Sequence, residues 1–215
     1  MNHAIVTLDE TGSMSGQERR VVTSLNEYVN QLPKKTLLTV FMFDSERWTE
    51  FFHGSVRKWK PMKEKDYRPG AMTPLYDAIG KSIAHAESVA SNGDRVMVMI
   101  DTDGYENASR EYTHESCLAL VSRKKKAGWE FLFMSAGVDQ KQADTHGAAG
   151  RSLGMRVNSA SYSKRSVNHS RASVQTRTYF RQPDQDRRKK KKKVGEDSPL
   201  FSTSGTRTAQ RGSPG

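Results

Sequence analysis

Apolar residues in the first 150 positions follow two alternating rhythms. Ala4–Leu8 is a short, mainly apolar run ending at Asp9, which reads as a buried strand followed by a Gly/Ser turn. From Gln17 to Leu32, Val21, Val22, Leu25, Tyr28, Val29 and Leu32 recur at three- and four-residue steps. That spacing lines one face of a helix, which Pro33 closes. Thr36–Phe43 is β-branched and aromatic and predicts a second strand; Arg47–His53 predicts a third, antiparallel to it at the sheet edge. Pro74–Ala90 reads as a helix with proline in its first turn. Asn92–Gly93 marks a turn, and Arg95–Ile100 is an apolar strand running into Asp101-Thr102-Asp103-Gly104. Glu115–Ala127 predicts a helix, Glu130–Ser135 a buried strand, and Asp139–Ser152 a weak alanine-rich helix.

Strands thus alternate with helices at the spacing of crossover units. Four of the strands are mainly apolar rather than alternating, as expected where both faces of a sheet are covered. The pattern predicts an α/β, Rossmann-like fold: an open, mostly parallel, doubly wound sheet with helices on both faces. Past about residue 158, Ser, Arg, Lys, Gln and Thr dominate and apolar residues lose any period. Such a segment cannot bury enough surface to offset its ordering entropy. The expected organisation is a domain over 1–157 and a disordered basic tail over 158–215.

Charge sharpens that division. Residues 151–215 hold 16 Lys/Arg against 4 Asp/Glu, whereas residues 1–150 hold 19 against 20. The net charge of +11 therefore belongs to the tail. Arg187, Arg188, Lys189, Lys190, Lys191, Lys192 and Lys193 are consecutive. They suit electrostatic attachment to nucleic acid or another anionic surface, blind to sequence. Only Tyr162, Tyr179, Phe180 and Phe201 interleave as aromatics, which gives base stacking little support. The single cysteine, Cys117, excludes a disulfide within the chain and a cysteine-based zinc site. The six histidines show no metal-ligand spacing. No apolar run approaches membrane-spanning length, and no charged-then-apolar leader opens the sequence. The expected location is the cytoplasm, of a bacterial cell or a phage-infected host.

Three separated pieces carry candidate chemistry: Asp9-Glu10-Thr11-Gly12-Ser13-Met14 after the first strand, Thr73-Pro74-Leu75-Tyr76-Asp77 opening a helix, and Asp101-Thr102-Asp103-Gly104 at a strand end. In open parallel sheets, ligands bind outside the carboxyl ends of strands where the strand order reverses. Asp9, Thr11 and Ser13 alternate, so their oxygens can point one way from an extended turn that Gly12 lets curl tightly. Thr73 would add a hydroxyl and Asp103 a carboxylate. This donor set suits a hard cation, Mg²⁺ first, with Mn²⁺ or Ca²⁺ as alternatives. Each piece alone has an ordinary reading as a turn or helix cap; it is their order and strand-end context that point to a site. Asp44 reads as a strand-end residue and Asp77 as a helix-start charge. Tyr105, Glu106 and Asn107 are candidates for the site's rim.

In order, spacing and strand context these motifs resemble the metal-ion-dependent adhesion site (MIDAS) of von Willebrand factor A (vWA) domains: Asp-x-Ser-x-Ser, a later Thr and a later Asp-Gly. The likeness covers roughly residues 1–150. Trp129–Ala149, with Gly137-Val138-Asp139-Gln140, resembles small bacterial and phage members. The resemblance implies Thr11, Ser13 and Thr73 as hydroxyl ligands, with Asp9 and Asp103 bound directly or through water. Thr11 stands where the family usually has serine and keeps the hydroxyl. The implied function is recognition of a protein partner, whose Asp or Glu carboxylate reaches the cation, with no bond made or broken. Two alternatives remain. One is a nucleic-acid-associated factor that works through its tail. The other is a haloacid dehalogenase-type phosphatase, with Asp101 as nucleophile and Asp103 as general acid, for which no Lys and acidic pair is evident downstream.

Overall fold

The computed structural model describes residues 1–103, 106–135, 150–159 and 167–181. Its strands are β1 (Asn2–Asp9), β2 (Leu37–Phe43), β3 (Trp48–Ser55), β4 (Arg95–Thr102), β5 (Glu130–Ser135) and β6 (Arg156–Ser159). Its helices are α1 (Glu18–Gln31), α2 (Leu75–Val89), α3 (His114–Lys126) and α4 (Val167–Arg181). The strands form one sheet in the order β3-β2-β1-β4-β5-β6. β3 is antiparallel to β2, and every other neighbouring pair is parallel. The fold class is the one the hydrophobic pattern predicts.

The central strands are mainly apolar because each of their faces meets a different helix layer. On β1, Ala4, Val6 and Leu8 join the core that Val21, Leu25 and Val29 of α1 contribute to, with Val40 of β2 and Met97 of β4. Ile5 points the other way, into a core with Ile79 and Ile83 of α2, Val98 of β4 and Val121 of α3. Successive strand residues face opposite sides. A strand covered on both sides therefore has no polar face to show.

The domain does not end at 157. β6 extends the sheet beside β5, from Leu132↔Arg156 to Ser135↔Ser159. α4 packs at the α1 face, where Tyr179 and Phe180 are buried in the core. Thr176 Oγ1 lies 3.2 Å from the Tyr28 hydroxyl, and Tyr179 donates to the Gly128 carbonyl at 2.7 Å. Among the described residues, the compact unit runs through α4 to Arg181. The expectation of disorder from 158 is corrected accordingly. Its premise, that a segment without apolar periodicity cannot bury enough surface, overlooks that α4 docks through one aromatic pair near its end. The basic run 187–193 and the motif 137–140 lie outside the described residues, as does nearly all of the predicted helix at 139–152.

Candidate metal centre

The order β2-β1-β4 reverses the chain's direction of travel across the sheet between β1 and β4. Leu8 is in register with Asp101, so Asp9 and Thr102 lie side by side at the carboxyl ends of both strands. Thr102 donates its hydroxyl to Asp9 Oδ2, and the Thr11 amide donates to Asp9 Oδ1 at 2.8 Å. Asp9 is fully buried and holds the turn that follows it.

The turn is clamped from outside by the segment 67–73. Tyr67, buried beneath it, donates its hydroxyl to the Asp9 carbonyl. Burial and the nearby Asp9 carboxyl push the Tyr67 hydroxyl above its usual range, so it remains a donor. The Gly12 amide donates to the Ala71 carbonyl at 3.1 Å, and a Cβ on Gly12 would approach that oxygen to 3.3 Å. Glycine at 12 therefore serves a close approach of two backbones. The tight, left-handed bend comes four residues later, at Gly16, with φ of 81°.

The loop before α2 brings Thr73 onto the same spot. Thr73 Oγ1 donates to Thr11 Oγ1 at 3.1 Å; Thr11 Oγ1 lies 3.3 Å from Ser13 Oγ; Ser13 Oγ donates to Asp103 Oδ1 at 2.8 Å. A single proton order satisfies the whole row: each hydroxyl donates toward Asp103, whose other oxygen accepts from Gln17 Nε2 at 3.2 Å. Thr11, Thr73 and Asp103 are buried, and Ser13 forms the exposed lip. All five residues singled out in the sequence thus converge at one sheet edge.

The surroundings are acidic. Burial raises the Asp9 carboxyl to about 6 against the hydrogen bonds from Thr102 and Thr11. Burial, with Asp9 and Asp103 nearby, raises Asp101 to about 7. Asp101 is 1% exposed, and neither of its oxygens has a hydrogen-bond partner among the described residues. No Lys or Arg pairs with Asp9, Asp101 or Asp103 among those residues.

Several positioning residues were not evident from sequence. Asn107 Oδ1 accepts the Thr73 amide at 2.8 Å, and the Asn107 amide donates to the Thr73 carbonyl at 3.1 Å. Asp77, far from being only a helix-start charge, is buried and accepts the amides of Arg110, Glu111 and Tyr112, each at 2.9 Å. Glu106 Oε2 accepts the Tyr76 amide at the start of α2 at 3.0 Å. The loop after β4 is thereby stitched to the start of α2. Asp44 accepts the amides of Glu46 and Arg47 and the Arg47 guanidinium, which shapes the β2–β3 turn. Tyr67 and Gln17 carried no sequence signal. Thr102 lay inside a motif already singled out. Gly104 and Tyr105 fall outside the described residues.

No family model matches the chain, and no curated protein matches it in sequence. Solved structures do match in shape. The conserved hypothetical protein BatB from Bacteroides thetaiotaomicron superposes with a TM-score of 0.58 at 12% identity, covering 85% of this chain and 100% of that one. The vWF domain of the type V pili tip protein Mfa5 from Porphyromonas gingivalis gives 0.60 at 9% identity, covering 85% and 97%. The SpRpn10 VWA domain gives 0.55 at 11% identity, covering 74% and 87%.

The fold is that of a von Willebrand factor A domain. At these identities the likeness is one of architecture, and the candidate site rests on its own geometry. In this vWA-type fold the cradle fits a hard divalent cation. Ligands at about 2.0–2.1 Å from Mg²⁺ in octahedral array sit roughly 3 Å apart, close to the 3.1 and 3.3 Å steps between the hydroxyls. A cation there would also offset the three clustered carboxyls.

Proposed function

We propose that Thr11, Ser13 and Thr73, with Asp9 and Asp103, hold one divalent cation, Mg²⁺ in first place, and that the chain recognises a protein partner through a carboxylate that completes the coordination. The observation that carries this reading is the row of three hydroxyls ending on Asp103. Hydroxyl ligands are neutral and leave the ion most of its charge. Both Asp9 oxygens are already engaged by Thr11 and Thr102, so Asp9 acts by orienting the turn. A carboxylate brought by a partner would then meet an undersaturated cation. Met72, next to Thr73, is 54% exposed and supplies an apolar contact beside the site. The similarity to a pili tip protein's vWF domain is consistent with a protein-binding role.

The site favours recognition over phosphatase chemistry. A nucleophile must be reached by its substrate, and Asp101 is buried below the cradle. The basic run 187–193 is a second candidate contact, for nucleic acid or an anionic surface. Among the described residues no helix is long and apolar enough to cross a membrane.

The test is a melting curve in chelator and in millimolar Mg²⁺, followed by partner capture under both conditions. A ligand that binds only the folded state raises the melting temperature by mass action. Asp9→Ala should abolish that rise, and Thr73→Val should weaken capture far more than Asp101→Asn. Identical wild-type curves in both buffers would overturn the reading.

A further inference from the structure

The edge strand β3 does not alternate regularly. Thr39 is in register with His53 and Val40 with Phe52, but Phe41 pairs with Glu50, so Phe51 is an extra residue in the strand. A bulge of this kind re-aims the side chains that follow it. Phe51 and Phe52 both pack toward the α1 core. Glu50 and His53, three residues apart, consequently share the opposite face, the one that α2 covers.

α2 delivers a third group to that place. His85 is half-buried and packs edge-on against Phe41, with ring centroids 4.9 Å apart. The His53 and His85 rings lie 5.6 Å apart, also edge-on. Buried Thr39 ties them together: its hydroxyl lies 2.9 Å from His53 Nδ1 and 3.1 Å from His85 Nε2. One ligand atom from each of Glu50, His53 and His85 falls within 4.8 Å of the others.

We propose that Glu50, His53 and His85 form a second metal site, specific for Zn²⁺ or a similar borderline ion, on the outer edge of the sheet. Two imidazoles and one carboxylate are a donor set that Zn²⁺ accepts in tetrahedral array, with water in the fourth position. Mg²⁺, which prefers an all-oxygen shell, does not compete well for imidazole nitrogen. The site is separate from the hydroxyl cradle. Thr39 is in register with Ile5, four residues before Asp9, or roughly 13 Å along the strand at about 3.3 Å per residue. It does not depend on the function proposed above.

The experiment uses the full chain, stripped with chelator and then titrated with Zn²⁺ in a large excess of Mg²⁺. Co²⁺ serves as a coloured substitute whose ligand-field spectrum reports nitrogen ligands. The wild type and Asp9→Ala should each bind one equivalent with the same spectrum. His53→Gln and His85→Gln should weaken Zn²⁺ binding by more than the roughly 10–100-fold typical of disturbing a metal site's supporting residues. Glu50→Gln should weaken it and shift the Co²⁺ spectrum. Glu50 and His53 are exposed, so their variants probe the site without touching the core. Wild-type affinity in both His53→Gln and Glu50→Gln would overturn the proposal and leave the two rings as partners of Thr39 alone. Loss of binding in Asp9→Ala, or no Zn²⁺ binding by the wild type, would overturn it as well.

Discussion

Ser13 Oγ donates to Asp103 Oδ1 at 2.8 Å although 90 residues separate the two in the chain. This bond closes the cradle between the turn after β1 and the end of β4. Asp103 also accepts from Gln17 at the start of α1, so it joins three elements. Asp103→Ala is expected to lose the Mg²⁺-dependent rise in melting temperature. In chelator it should cost only about 1–3 kcal/mol, the net worth of the two hydrogen bonds from Ser13 and Gln17 at about 0.5–1.5 kcal/mol each. Urea unfolding with and without Mg²⁺ separates the two effects. A variant that still responds to Mg²⁺ like the wild type would remove Asp103 from the site.

Stability should depend on pH in a direction set by the buried acids. Asp9 titrates near 6 and Asp101 near 7 in the folded chain, against about 3.9 when unfolded. The folded state holds these protons more tightly than the unfolded one. Their stabilising contribution is therefore full below about pH 4 and is lost as pH rises through 6 and 7. His85, whose pKa is lowered, works in the opposite sense below its usual value. Comparison with Asp101→Asn isolates the carboxyl. In chelator, the variant should gain on the wild type by on the order of 1 kcal/mol or more at about pH 8 relative to about pH 5. Mg²⁺ should narrow that gain because it favours the ionised acids. A difference between the two proteins that does not change with pH would contradict the burial of Asp101 as a charged group.

Asn107 is expected to act through Thr73. Asn107→Ala leaves the Thr73 amide without its 2.8 Å acceptor while sparing every proposed ligand. An unpaired buried amide costs about 1–3 kcal/mol. A loosened supporting residue typically costs a metal site roughly 10–100-fold in affinity. Calorimetric titration with Mg²⁺ reads the second quantity directly. Unchanged affinity would show that the Thr73 loop holds its place by other contacts.

Two truncations test where the domain ends. Removing 184–215 should leave the urea midpoint and the Mg²⁺ response unchanged. Removing 160–215 takes away Tyr179 and Phe180, both buried, and the Thr176 partner of Tyr28. At about 1.5–3 kcal/mol per buried large side chain, that should cost roughly 3–6 kcal/mol. Equal midpoints for the two truncations would mean that α4 contributes nothing to stability.

Much of this architecture follows from local rules that act along the chain. Val21, Leu25, Tyr28 and Val29 make a helix because they line one face. Val96–Ile100 makes a central strand because it can be buried on both sides. The convergence of the five candidate residues was also readable, because Asp9, Thr11 and Ser13 lie within one turn, and because Thr73 and Asp103 sit where loops meet the sheet's carboxyl edge. Three other features depend on contacts between distant segments and have no periodic trace. α4 looks polar by composition and is held by Tyr179 and Phe180 against β4 and α1. Gly80 reads in the sequence as an ordinary weak point in a helix, yet a Cβ there would sit 2.4 Å from the Tyr112 ring. The pairing of His53 with His85 requires a bulge at Phe51 and the docking of α2 over β2. A side chain's local spacing determines which face of its own element it occupies; only the packing of elements determines what that face meets.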